Sequence, residues 1–260
     1  MNNVADRQLL SAKIPFQVAE LAGWLAIFAT GATLVLLVSL HVLSPEFSPS
    51  WRVISEYALG HYAWVLALMF LSWGIGSWVL AVALWCEIHT NSGRVGLWFL
   101  IIAGVGEAMA SVFDINHPIG HGIAGLLGVI GFPIAALLLS VALGRNEAWS
   151  TARRPLFWLA NLSWISVVLL IAALATMTMQ MARLNGGHLP EHAPKSLPPG
   201  VLALDGWADR LIVVSNCAWV LLAGWRAILV RRKRSYAGVL EPVRNVDMQC
   251  WKGDLAQLGE

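Results

Sequence analysis

The stretch SVFDINHPIGHGIAGLLG, residues 111–128, sets Asp114, His117 and His121 between two strongly apolar segments. Imidazole and carboxylate groups together can hold a divalent metal, pass protons or hydrogen-bond one another. The same chemistry recurs at His41, Ser55, Glu56, His61, Glu107, Asp205, Asp209, Arg210 and Asn216. Helical spacing groups several of these. Glu107, Ser111 and Asp114 follow steps of four and three, which predicts one shared helix face. His117 and His121 are four apart, and His121 shares its face with Gly125 and Gly128. Small residues let helices approach closely, so that face is expected to point into a bundle. Asp205 and Asp209 are also four apart, and like charges at that spacing call for a cation, a shared proton or Arg210 nearby. His188 and His192 share the HxxxH spacing, but Pro190 disfavours a common helix face and reads as solvated loop.

The elements that must position these groups are membrane spans. Of 260 residues, 58% are hydrophobic and only 12% charged, whereas a soluble domain carries roughly 25% charged residues. Several apolar runs reach the roughly 20 residues that cross a bilayer core, and no stretch alternates with a period of two. The expected class is all-α: a polytopic membrane protein with six transmembrane helices in one bundle. The spans are expected at 20–43, 62–88, 95–113, 119–143, 156–180 and 207–230. This gives an N-terminal segment 1–19, a six-helix domain 20–230 and a basic flank with a short tail, 231–260. Residues 1–17 are polar and mixed ahead of a full-length apolar run, so the first span is expected to stay as an anchor.

Charge sets the expected direction. Arg7, Lys13, Arg94, Arg145, Arg153, Arg154, Arg226 and the RRKR run at 231–234, with Arg244 and Lys252, gather on one side. Arg52, Arg183, Lys195 and Arg210 lie opposite. The positive-inside rule then puts both termini in the cytoplasm, in a bacterial inner membrane. The RRKR run reads as a stop-transfer flank, with an anionic-lipid site as its alternative. Trp51, Trp64, Trp149, Trp158 and Trp207 fall near expected helix ends and read as an aromatic belt. A net charge of +2 gives no sign of a nucleic-acid partner, and Cys86, Cys217 and Cys250 form no CxxC pair.

With that orientation, six of the seven histidines fall on the outer side, with Glu46, Glu56, Asp114, Glu191, Asp205 and Asp209. Glu107 lies inside an apolar span, where a lone charge costs roughly 2.5 kcal/mol or more. It is therefore expected to be neutral, paired or lining a wet cavity. The polar groups of separate helices are expected to meet in a pocket open to the outside, formed by His121, His117, His41, His61, Arg210, Asp209, Asp205 and Asn216.

Three motifs carry a family resemblance. They are HVLSPEFSPSWRVISEYALG, with Ser55 and Glu56; SVFDINHPIGHGIAGLLGVIGFPIAALLL, with His121 and Pro133; and DGWADRLIVV, with Arg210. In this order the chain resembles domain-of-unknown-function family 998, a group of six-helix prokaryotic membrane proteins, from about residue 21 to residue 230. The resemblance implies a fold and a set of polar positions without a reaction. That family's Phe-Pro-x-Asp turn is Phe113-Asp114-Ile115-Asn116 here, so either Asp114 or Asn116 is the counterpart.

Two classes of function fit these residues. One is non-catalytic: binding or transport of a small molecule, a proton or a lipid, or an accessory role beside a membrane-protein partner, with Glu107 as the protonatable group. No internal repeat relates the two halves, which weighs against a repeat-built transporter. The other is a membrane-embedded, metal-dependent lipid hydrolase at the outer leaflet, similar in chemistry alone to the ceramidase and adiponectin-receptor amidases. There His121, His117 and either His41 or His61 would hold zinc, and Asp114, Ser55, Glu56 or Glu107 would serve catalysis.

Overall fold

The computed structural model describes residues 16–188 and 196–240, and every regular element among them is helical. His192, Glu191, Lys195, Cys250 and the basic residues of both tails lie outside the described residues. Six helices are long and apolar enough to cross a membrane, as a backbone surrounded by lipid must satisfy its own polar groups. They are α1 (Phe16–Leu43), α2 (Ala63–Leu84), α3 (Asn91–Ala110), α4 (Pro118–Leu143), α5 (Ser150–Leu184) and α6 (Asp205–Leu240).

Local chemistry sets several ends. Thr90 caps α3 by accepting the Gly93 amide at 3.1 Å. Pro118 opens α4, where the missing N–H costs nothing and the fixed φ suits a helix. Within α4, residues Leu126–Ile130 form a π-helical turn between two α segments, Pro118–Gly125 and Gly131–Leu143. Pro133 follows closely: it cannot donate to the Val129 carbonyl and its ring crowds that oxygen, so a widened turn relieves the clash.

The helices pack in chain order, and α6 closes the circuit against α1. Small residues bring the backbones together. A Cβ on Gly74 of α2 would lie 2.7 Å from the Gly104 carbonyl of α3, and one on Gly106 would lie 2.4 Å from the Gly128 nitrogen of α4. One joint is open. The Gly131–Leu143 half of α4 packs on both α3 and α5, while the Pro118–Gly125 half packs on α3. The connections after α1, α3 and α5 gather at one end of the bundle, the loop end. Arg94, Arg145, Arg153, Arg154 and Arg226 mark the opposite, basic end.

Two expectations are corrected here. α3 stops at Ala110, so Ser111 and Asp114 lie in the following turn and do not extend the Glu107 face. Trp149 is fully buried and donates to Glu87 at 3.3 Å, so it belongs to the interior of the basic end and not to an aromatic belt. Trp64, Trp158 and Trp207 are exposed near helix ends.

Candidate functional site

Between the loop end and the middle of the bundle lies a cavity of ≈ 250 Å³. Its walls are Phe70 and Trp73 of α2, Gly106 and Ala110 of α3, Ala124, Gly125 and Gly128 of α4, Leu170 and Leu174 of α5, and Ile212 and Val213 of α6. Four polar side chains line it: Ser55, Glu107, His121 and Asp209. Glu107 and Gly128 mark its floor and His121 its upper part. Seven residues of α4 separate those levels, about 10 Å at 1.5 Å per residue. The glycines shape the floor, because Gly128 and Gly106 let α4 pass directly over Glu107.

Glu107 is 3% exposed. Ser77 donates to its Oε2 at 2.7 Å. Its Oε1 has no partner among the described residues, and neither does Trp73 Nε1, another buried atom of a lining residue. Two residues of the cavity lining thus carry a buried carboxyl oxygen and a buried indole N–H with no partner among the described residues. Unsatisfied buried polar atoms are uncommon, because each costs about 1–3 kcal/mol. Higher up, His121 Nδ1 donates to the Phe113 carbonyl at 3.0 Å. That bond makes Nδ1 the protonated nitrogen and leaves Nε2 an acceptor with no partner among the described residues.

The roof is the segment between α1 and α2, whose short 3-10 helix spans Ile54–Leu59. Arg210 holds it in place. This guanidinium, 5% exposed, donates from Nε to His41 Nε2 at 2.7 Å and from NH2 to the Tyr57 hydroxyl at 3.1 Å. Its NH1 donates to the carbonyls of Arg52 and Gly206, both at 2.8 Å. His41 can accept because its Nδ1–H is committed to the Leu37 carbonyl at 2.6 Å. Asp209 adds a second tie by accepting the Ile54 amide at 2.6 Å. Arg52 pairs with Glu56 at 3.0 Å within the roof. A Cβ on Gly206 would lie 2.3 Å from the Pro49 carbonyl, so only glycine lets the roof sit this low on α6.

The other expected residues go elsewhere. Asp114 accepts from the Asn116 amide at 2.9 Å and pairs with His117 Nδ1 at 3.0 Å, forming a self-contained turn. Partial burial acts to raise the Asp114 pKa, but hydrogen bonds from Asn116 and His117 together hold it below the ordinary carboxylate range. The His117 side chain is 64% exposed. His61 is exposed at the head of α2, edge-on to Tyr62. Asn216 is fully buried between α5 and α6 and accepts from Ser163, away from the cavity lining. Asp205, at the head of α6, is buried with neither carboxyl oxygen partnered among the described residues. Arg210 serves the roof and pairs with neither aspartate.

The model of the family described as "Protein of unknown function (DUF998)" matches residues 27–226. The chain belongs to this family. Comparison with curated proteins and with solved structures found no match to the chain.

In this DUF998 chain the zinc set is not assembled. Among the described residues no three His, Cys, Asp or Glu side chains are grouped to hold a metal ion. Both nitrogens of His41 are engaged, one with a guanidinium whose positive charge opposes a metal. The residues that the sequence reading passed over are Ser77, Trp73, Arg52 and Tyr57. Ser77 and Trp73 are four apart on α2, a polar pair on one face of an apolar span, and that spacing was the available signal.

Proposed function

We propose that this DUF998 protein sits in a bacterial inner membrane with its basic end in the cytoplasm, and that its loop-end cavity binds a small amphiphilic molecule drawn from the bilayer. The orientation rests on the arginine asymmetry between the two ends. The binding reading rests on one observation above the rest: the unpartnered Glu107 oxygen on the floor of an otherwise largely apolar cavity. A ligand matching that lining carries one hydroxyl or amine group to meet Glu107 and Trp73. The rest of the ligand is hydrocarbon, to fill the space beside Leu170, Leu174 and Ile212. Such pockets, with apolar walls and few convergent polar groups, are the usual form of a small-molecule site. Entry from the lipid side is supported by the outer half of α4, which packs on α3, and by Gly122 and Gly125, whose added Cβ atoms would meet nothing within 4 Å. The amidase reading draws no comparable support, as His41 is spent on the roof, His117 on the turn, and His61 is exposed at the head of α2, apart from His121 in the cavity.

The test fills the space. Gly125→Leu projects a side chain into the cavity from a position with room for it, so the fold should survive. Protein purified in mild detergent is extracted with organic solvent, and bound small molecules are measured by mass spectrometry. Wild type is expected to release a species near one per chain that Gly125→Leu lacks and Glu107→Gln retains poorly. Identical extracts from all three proteins would refute ligand binding in this cavity.

A further inference from the structure

At the basic end, on the far side of the bundle from the cavity just described, a second concavity of ≈ 520 Å³ opens between the end of α4 and the start of α5. Arg145, Arg153 and Arg154 line it, with Phe157 and Trp158 on the same wall. We infer that this basic cleft is a binding site for the phosphate headgroup of an anionic phospholipid.

Three observations converge. First, none of the three guanidinium groups has an acidic or hydrogen-bonding partner among the described residues; Glu147, the nearest acid in the chain, bonds to none of them. The contrast at the same end is plain, because Arg231, Arg232 and Arg234 all pair with Glu87 or Glu20. Second, Arg153 and Arg154 stand in the opening turns of α5, which carries no acidic residue in its first turn. The positive end of the helix dipole makes cations unfavourable there and anions favourable. Two uncompensated cations at a helix N-terminus violate the local rule, and such violations mark functional positions. Third, the cleft is built for a molecule with two characters. The Arg153 stem lies over Gly144, whose added Cβ would sit 3.0 Å from Arg153 Cγ, so the loop and α5 form one wall. Immediately below, Phe157 and Trp158 are 46% and 73% exposed and face lipid, where acyl chains would run. Basic pockets between helix ends at a membrane surface take phospholipid headgroups in this way. The RRKR run is a separate feature, since its arginines are already paired.

The test titrates dioleoyl phosphatidylglycerol or dioleoyl phosphatidylcholine into the full chain in neutral detergent and counts retained lipids by native mass spectrometry. Wild type is expected to keep one phosphatidylglycerol and to discriminate against phosphatidylcholine. Each of Arg145→Gln, Arg153→Gln and Arg154→Gln should weaken retention about five-fold, the effect of one basic side chain near an anionic surface. Lys233→Gln, which removes one exposed charge at the same end, should leave retention unchanged and controls for charge alone. Thermal melting of each variant verifies folding. Equal retention of the two lipids, or equal loss in Lys233→Gln, overturns the site. A parallel arm adds inorganic phosphate alone: if phosphate raises the melting temperature as much as phosphatidylglycerol does, with the same arginine dependence, the ligand is a soluble phosphate and the lipid assignment falls.

Discussion

Replacing Arg210 with glutamine removes the fork that joins three parts of the chain. The native side chain makes three bonds outside its own helix, to His41 Nε2, the Arg52 carbonyl and the Tyr57 hydroxyl. A glutamine amide can reproduce one of these, so two are lost. Buried bonds to a charged group contribute about 1.5–3 kcal/mol each, but polar bonds in membrane proteins average nearer 0.6 kcal/mol. The site lies at the bundle end, between those regimes, and we expect Arg210→Gln to destabilise by about 3 kcal/mol. For a chain of this size that corresponds to a fall of about 6–12 °C in melting temperature. Arg210→Lys keeps the charge but not the planar fork, so it should fall between glutamine and wild type. The assay is thermal unfolding in detergent, paired with limited proteolysis of segment 44–62, which should become the first site of cleavage in the variant. A double-mutant cycle with His41→Ala isolates the guanidinium–imidazole bond. If Arg210→Gln melts with wild type and segment 44–62 stays protected, the roof is held by packing alone and the clamp has no energetic role.

Two further outcomes follow from the geometry. Bonded Asp114 is held below the ordinary carboxylate range, so its ionised form stabilises the 111–117 turn; that contribution is present above the ordinary carboxylate pKa and is lost as pH falls through the depressed folded-state value. Amide exchange across this turn should therefore be faster in Asp114→Asn than in wild type at neutral pH, with the difference vanishing in acid; a difference that persists there contradicts the assignment. At the basic end, Glu87→Ala strands Arg231 and Arg234 together with the Trp149 indole N–H. It should destabilise by about 3 kcal/mol, the low end for breaking a buried pair because Arg234 is half exposed. An unchanged melting curve would show that the pair is energetically neutral.

The spans were legible because twenty-odd apolar residues in a row admit one solution in lipid, although α5 starts six residues before its expected limit and α6 runs ten residues beyond its own, to Leu240. Glu107, His121 and Asp209 line one cavity, each a polar group on a face otherwise lined with small or apolar residues. What the pattern does not encode is the partner across the gap. Asp114 has the right spacing to extend the Glu107 face, yet α3 ends at Ala110 and its carboxylate turns to Asn116 and His117. Trp149 has the position of a belt residue, but Glu87 from a distant turn gives its indole a buried acceptor. Arg210 looks like a counterion for the two aspartates beside it. It instead reaches the other way, because three oxygen and nitrogen acceptors from α1 and the roof suit a planar fork better than two adjacent carboxylates on its own helix.

The widened turn at Leu126–Ile130 has a consequence for how α4 tolerates changes in length. A π turn holds one residue more than the α turn it replaces, so it offsets the angular phase of the two halves by about 100°. The half that follows is locked into the bundle on two sides, and the half that precedes it bears His121. Shortening the chain by a single residue between Gly125 and Gly131 would press the Pro133 ring back onto a backbone carbonyl, and it would swing the imidazole about a quarter-turn away from Glu107 and Asp209. Deletion there should lower the melting temperature and abolish the shared lining, whereas the same deletion beyond Leu143 would leave that alignment untouched.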